Sequence, residues 1–458
     1  MNDNVIEFIT YKNALKGNYR KGVHTMRCIL ENPAQAADFA ASVGAVSVVF
    51  GVPVDKPDRN SDELLELVLN SFVCDKATLT FLSQFYPENA ESYDTMMNSA
   101  ERCAEIFATP ILWRPVGRSN CLTAKLIVTL AGLNCVEYGD LAAVVSSSVA
   151  MEAVAASQTA MTAVAASQTA MAAVAASPTA MAAIWQSSTA VQAVQDNATA
   201  WSTFTGASSS VMGKTVAILA GLDPNSYADM TAVAASQTAM AAVIANDTAL
   251  NAVVSSSTAM AAVAASSTAM TAVAASQTAM TAVAASQTAM AAVIANSTAL
   301  NAVVSSSTAM TAVAASQTAM TAVAASQTAM TAVASSATAV SAMAASSAAK
   351  SALQASPLKK EYSWGGNNWT ANTLTAVSGS GLLLKIQITN NVGGWSLPTK
   401  TSHKVLLDGA AFMATNGYST SDIYQKSTSA VIDESVRRYK SSINVYLYNA
   451  TKITYIPC

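Results

Sequence analysis

The stretch Met151-Glu-Ala-Val154-Ala-Ala-Ser157-Gln-Thr159-Ala160 is followed at once by Met161, which starts the same ten-residue phrase again. Met171, Met181, Met240, Met260, Met270, Met280, Met290, Met310, Met320 and Met330 open further copies, with Val (once Ile184) three residues on. A short fixed period of this kind decides architecture before any single residue does. Ser157, Ser167, Ser177, Ser236, Ser266 and Ser276 share one phase, and the replacements there are Asn197, Asn246 and Asn296. Ser and Asn have in common a side-chain oxygen that accepts from the free amides at a helix start. Pro178 and Pro357 follow Ser177 and Ser356. Proline suits the first helical position but costs about 3 kcal/mol inside a helix. The decad therefore restarts a helix each time.

Each such helix is expected to run for about eight residues, or about 12 Å. Ala160, Met161, Ala163 and Val164 form its apolar stripe. Helices this short are unstable alone in water, so they must stack on neighbours as an α-helical solenoid. About twenty units in two layers, with helices near 9 Å apart, predict a rod about 90 Å long. The competing reading is a coiled-coil shaft. The large side chains are spaced by three and then seven, where heptads need three and four. Disorder fits worst, because linkers lack bulky apolar residues at fixed phase.

The chain has 458 residues, 52% of them apolar and only 11% charged, with a net charge of -3. That length suits about two to four domains. The charge argues against an electrostatic nucleic-acid binder. Between Thr231 and Ala349 the only formal charge is Asp247. Ser, Thr and Gln interrupt the apolar residues long before a spanning run of about 20 forms, so no membrane insertion is expected. The first residues, Met1-Asn-Asp-Asn, show no basic segment leading into an apolar core, so no signal peptide is expected. Cys28, Cys74, Cys103, Cys121, Cys135 and Cys458 include no CxxC pair and read as buried free thiols of a reducing compartment.

Four regions follow. Residues 1–120 form a charged, mainly α region and a possible attachment surface, with Asn32-Pro33, Ser61 and Ser99 opening helices and Thr109-Pro110 closing one. Residues 121–210 hold a lead-in module and a first decad array, and residues 211–356 repeat that plan. The two modules are Lys125-Leu-Ile-Val-Thr-Leu-Ala-Gly132 through Asp140, and Lys214-Thr-Val-Ala-Ile-Leu-Ala-Gly221 through Asp229. Gly132 and Gly221 are placed to stop a helix, and Asn134 and Asp223-Pro224 to open the next. The irregular stretch Thr203–Gly213 is the natural joint between the arrays. Met240–Ala289 and Met290–Ala339 are near copies, so array length tolerates change. In residues 357–458, alternating runs at Leu374–Val377, Leu382–Thr389, Lys404–Asp408, Ser442–Tyr448 and Thr451–Pro457 predict an all-β sandwich.

No catalytic constellation is present. His24 and His403 fall in different regions, no cluster has metal-ligand spacing, and neither an enzyme nor a cofactor is expected. Gly379-Ser-Gly381 reads as a hairpin turn and Asp408-Gly409 as another turn. Asp422, Asp433 and Glu434 read as surface or strand-end acids. The ligand-contact candidates are Trp364, Asn367, Asn368, Trp369 and Trp395, aromatic faces beside amides that suit stacking on sugar rings. The plainer role for these tryptophans is to pin the β region to the last helices or to a neighbouring subunit.

The decads Ser-x-Thr-Ala-Met-x-Ala-Val-x-Ala, the module Gly221-Leu-Asp-Pro-Asn-Ser-Tyr-Ala-Asp-Met230 and the segment Tyr439–Tyr448 resemble tailed-bacteriophage virion fibre proteins. The likeness covers the last two-thirds of the chain. It implies a structural virion part that meets other virion proteins and a host-surface glycan or protein, and it allows a homotrimer. Residues 1–120 carry none of it. A cell-surface adhesin or stalk is the alternative, and an ice-binding Thr/Ala-rich repeat is a third reading.

Overall fold

The computed structural model describes residues 19–51, 59–364, 373–389, 405–408, 410, 411, 431–446 and 450–458. The protein is mostly helical, 72%, with thirty α-helices among the described residues and a small antiparallel β region at its C-terminal end. The longest described helix is Tyr19–Glu31, at 13 residues, too short for a coiled-coil shaft. The chain forms two compact units, Met1–Asp229 and Met230–Cys458.

In both units the decad folds as eight or nine helical residues and one extended residue. Ser157–Ala166 is typical: helix Gln158–Ala166 lies between Ser157 (φ -96°, ψ 112°) and Ser167 (φ -102°, ψ 112°). Each Ser ends one helix and starts the next. The Ser167 amide donates to Val164 O at 3.0 Å, and its Oγ accepts from Ala170 N at 3.1 Å. A single extended residue turns the chain sharply. The bend is 102° between Ser148–Ala156 and Gln158–Ala166, and 101° between Gln277–Ala285 and Gln287–Ala295.

Three such bends bring the chain back over its start, so each helix packs on the third before it and the third after it. Gln277–Ala285 lies against Asp247–Ser255 and Ser307–Ala315, and Ser148–Ala156 against Pro178–Gln186. The two-layer pairing expected from the sequence is thus replaced by a three-helix repeat. The reason is the single-residue link, which turns the chain by about a right angle where an antiparallel pair needs a reversal. Ala160, Met161, Val164 and Ala165 are all buried, and Met240, Met270, Met280 and Met330 are at most 1% exposed. Burying one such side chain contributes roughly 1.5–3 kcal/mol, which supplies what isolated nine-residue helices lack.

The cap residue has a second bond that links one level to the next. Ser177 Oγ accepts from Ala180 N at 3.2 Å and donates to Val145 O at 2.6 Å, 32 residues earlier. Ser187 reaches Ala155 O, Ser286 Val254 O, Ser306 Ala274 O and Ser336 Val304 O at 2.5–2.6 Å, always 32 residues apart. Those carbonyls sit in the last turn of a helix, where no intrahelical donor exists. Asn197 does both jobs with one amide: Oδ1 accepts from Thr199 N and Ala200 N at 3.1 Å, and Nδ2 donates to Ala165 O at 2.9 Å. The position therefore requires an acceptor and a donor together, which explains why Ser exchanges with Asn.

This sets a graded expectation at Ser286. Ser286→Ala loses a cap and leaves a part-buried carbonyl without its donor, destabilising by about 2 kcal/mol. Ser286→Asn is expected to be nearly neutral. Ser286→Asp keeps the acceptor but sets a carboxylate against Val254 O, so it is at least as harmful as alanine at pH 7. It recovers below about pH 4, where the protonated carboxyl donates. Denaturant titrations at both pH values separate the three variants.

The lead-in modules fold alike. Helices Asn120–Leu130 and Ser209–Leu219 stop at Gly132 (φ 80°) and Gly221 (φ 71°), a left-handed backbone that costs glycine nothing. Leu133 N donates to Val128 O at 2.9 Å and Leu222 N to Ala217 O at 2.8 Å, the expected closing bonds. Asn134 and Asp223 then cap the short turns Cys135–Glu137 and Pro224–Ser226. The expected joint at Thr203–Gly213 is the end of helix Ala198–Thr205, a short link, and the start of Ser209–Leu219.

Among the first 120 residues, Asn32 caps helix Pro33–Ala41 and Ser99 caps Ala100–Ala108, as expected. Thr109 ends the latter and precedes Pro110–Val116, although its own side chain makes no cap bond. Ser61 does not open its helix, which begins at Arg59. Ion pairs Arg27–Glu63 (3.6 Å) and Arg118–Glu66 (3.1 Å) involve acids of that helix.

At the other end Ser356 donates to Ala324 O at 2.5 Å and accepts from Leu358 N, but a turn follows it and no further helix. Nine strands come next among the described residues: β1 Lys360–Trp364, β2 Thr373–Ser378, β3 Gly381–Thr389, β4 Val405–Leu407, β5 Ala410–Ala411, β6 Val431–Asp433, β7 Arg437–Tyr439, β8 Ser442–Tyr446 and β9 Ala450–Pro457. One sheet runs β1-β9-β3-β6 with β7 also on β3, the other β2-β8-β4-β5, and all pairs are antiparallel. Val377, Ile443 and Val445 of the second sheet share one core with Leu383, Ile386 and Ile453 of the first. Gly379-Ser-Gly381 is a turn (Gly379 φ 95°) but not a hairpin, because it carries the chain from one sheet to the other. A Cβ on Gly381 would come within 2.2 Å of Ile456 O, so the start of β3, paired on both sides, admits only glycine there.

Asp408 follows β4 with φ 53°, and its carboxylate accepts from the amides of Lys440 (2.8 Å), Ser441 (2.6 Å) and Ser442 (3.3 Å). Slight burial works to raise its pKa, but these donors outweigh it and hold the carboxyl below its usual range. A depressed carboxyl stabilises the fold above its unfolded pKa of about 3.9 and loses that contribution as pH falls through the lower folded value. Acid titration of the β region's stability should therefore be flatter in Asp408→Asn than in the parent below about pH 4.

Candidate functional site

No side-chain cluster with catalytic geometry is found among the described residues, and none there holds three His, Cys, Asp or Glu groups together as metal ligands. His24 lies exposed with its Nε2 3.8 Å from Cys28 Sγ. His403 and Asp422 lie outside the described residues. Asp433 closes β6 opposite Ile386, and the exposed Glu434 pairs with Lys385 at 2.8 Å, a surface ion pair as expected. The six cysteines are all free, but only Cys74, Cys103 and Cys135 are buried as expected, Cys121 and Cys458 being part-buried and Cys28 exposed. Burial pushes the thiols of Cys74 and Cys103 up to about 12, and those of Cys121 and Cys458 up to about 11. Thiols held that high are poor nucleophiles at neutral pH.

Of the sugar-stacking candidates, Trp364 is the last residue of β1, opposite Thr451 of β9. Asn367, Asn368, Trp369 and Trp395 lie outside the described residues. The structure shows a different set of groups joining the β region to the array. Gln327 Nε2 donates to Pro457 O at 2.9 Å, Arg438 Nη1 to Ser335 O at 3.0 Å and Cys458 Sγ to Met330 O at 3.3 Å. Gln354 Nε2 reaches Leu384 O at 3.5 Å. The final helices, Gln327–Ser335, Ala337–Ala345 and Ser347–Gln354, thus receive β3 and β7 directly. None of these partners was legible in the sequence, because each is a side chain meeting a main-chain carbonyl about 30 to 130 residues away.

Beside this junction an open groove of about 480 Å³ is lined by Val340, Ala344, Leu407, Val436, Arg437 and Arg438, among others. Its chemistry is an apolar floor with guanidinium groups at the margin, suited to an apolar group that also carries an acceptor. The remaining surface of the second array is a long field of Ser, Thr, Gln and Ala. Thr278, Thr318 and Thr328 are exposed there, and Asp247 is the only charged residue from Thr231 to Ala349. The chain matches no protein-family model and no curated protein.

Proposed function

We propose that this chain is a structural fibre or appendage protein of a tailed-phage virion. In this reading the arrays are three-sided helical solenoids that provide reach, and the C-terminal β-sandwich makes contact with the host surface or docks on the particle. The observation that carries it is the cap serine bonded both along its own helix and back by 32 residues, as at Ser286. That bond, repeated at Ser177, Ser187, Ser266, Ser306, Ser316 and Ser336, ties a unit to one a level earlier in the same way each time, so length can change by whole decads without redesign. Thirteen helices in the second unit, three to a level and about 9–10 Å between levels, correspond to a rod on the order of 40 Å. This is shorter than a two-layer stack of the same helices. The core closes within one chain, so the shaft needs no trimer. Among the described residues no single helix is long and apolar enough to cross a membrane.

Immunogold labelling of purified particles of the encoding phage tests the assignment. Label confined to an appendage is expected, and particles that contain none of this chain would overturn it. An adhesin or stalk would instead be recovered with a cell surface. Exposed Thr278, Thr318 and Thr328 are the feature that favours ice binding, and thermal hysteresis of the purified chain is its direct measure.

A further inference from the structure

Helix Ala337–Ala345 departs from the decad phrase on the side that lines the open groove. Ala337 stands where the helices from Gln237–Ile244 to Gln327–Ser335 begin with Gln, Ser or Asp, and Val340 stands where they carry Met or Leu. The first exchange takes a polar side chain off the surface. The second puts a shorter one at the groove, where Val340 is 9% exposed and the methionines from Met240 to Met330 are at most 1% exposed. Ala344, half-exposed, continues the same wall.

The helix packs on Ser307–Ala315 on one side. The array ends before another helix can be laid over it on the other, and β7 meets it there instead. Leu407 and Val436 form the opposite wall of the groove, about 480 Å³ in volume. Arg437 Nε donates to Ser435 Oγ at 2.8 Å and Arg438 Nη1 to Ser335 O at 3.0 Å, bonds that fix both guanidinium groups at the margin. Among the described residues the lining holds two arginines, no carboxylate and no aromatic ring.

We propose that this groove binds a small, free aliphatic carboxylate, its chain against Val340, Ala344, Leu407 and Val436 and its head group on Arg437 and Arg438. The volume falls within the range of small-molecule sites, roughly 300–1,000 Å³. A sugar or a nucleobase is bound by stacking on aromatic faces, which this lining lacks. Guanidinium forks match a carboxylate with paired hydrogen bonds, and two positive charges with no acid beside them select an anion over an alcohol or an amine. The site does not depend on the virion assignment.

Isothermal titration calorimetry of the full chain with hexanoate, octanoate and decanoate, each below its micelle concentration, tests the proposal. Saturable binding is expected, tightening by up to about fourfold for each added methylene. Binding of 1-octanol should be at least about tenfold weaker than that of octanoate, and Arg437→Gln should weaken decanoate binding by about tenfold. Ala344→Ile fills the floor with a side chain that the array already carries at this place as Ile244 and Ile294. It should unfold at the parent temperature and bind decanoate at least about tenfold more weakly. If it unfolds early, Arg437→Gln decides alone. No saturable binding of decanoate to the parent, octanol binding as tightly as octanoate, or parent-like binding by Arg437→Gln or a folded Ala344→Ile overturns the proposal.

Discussion

Deleting residues 316–325, one whole decad, is expected to leave the second unit folded with its stability changed by no more than about 1 kcal/mol. Ser326 then stands 32 positions after Ala284, the carbonyl that Ser316 engages now at 2.5 Å. Ser346 and Ser356 likewise inherit Val304 and Ala314, carbonyls already used by Ser336 and Ser346. The β region rests on the last three helices and moves with them. Deleting only residues 316–320 removes a cap and a buried Met and puts every later helix half a unit out of phase. A loss well above 4 kcal/mol is then expected, with no cooperative transition left in that unit. Thermal unfolding followed by circular dichroism distinguishes the two. In the proposed solenoid the whole-decad deletion also turns the β-sandwich by about a third of a turn, because three helices make one level. A distance between spin labels at fixed points on the first helices and on β3 would register the rotation.

Met280 provides the second large effect. Its side chain is fully buried in Gln277–Ala285, between Asp247–Ser255 and Ser307–Ala315. Met280→Ala removes the largest side chain of a level and leaves a cavity that rigid neighbouring helices cannot close, at a cost of about 2–5 kcal/mol. Met280→Leu should cost less than about 1.5 kcal/mol. Leu250 and Leu300 already occupy this position in their own helices at 3% and 5% exposure, which shows that the space accepts a branched side chain. Denaturant midpoints at unchanged slope give both values. Equal effects of Ala and Leu would mean that packing at this position does not hold the levels together.

The decad was readable as a capped helix because its signals are local. A Ser or Asn oxygen, a first-turn proline and an apolar stripe act within four residues, and Asn32, Ser99, Ser177 and the stops at Gly132 and Gly221 stand where such signals put them. Ser61 is the instructive exception. It has the look of a cap, yet helix Arg59–Leu69 runs through it, since Ser is also tolerated within a helix. Long-range pairing was beyond local signals. The runs that became β2, β3, β4, β8 and β9 were visible from alternation, but that β2 and β3 belong to different sheets was not.

By itself, then, the sequence determined the helix restarts, the buried Met and Val phase, the lead-in modules and the change to strands near residue 360. Only the tertiary structure decided that helices return every third and not every second unit. A one-residue link bends the chain by about 100°, and the serine hydroxyl, whose oxygen was accounted for as a cap, had a proton left to give to a carbonyl one level away. The tertiary structure also decided that Lys125 is buried against Asp94 while Lys214, in the same local sequence, is only part-buried, because the helix three before it, Pro178–Gln186, carries no acid to pair with it.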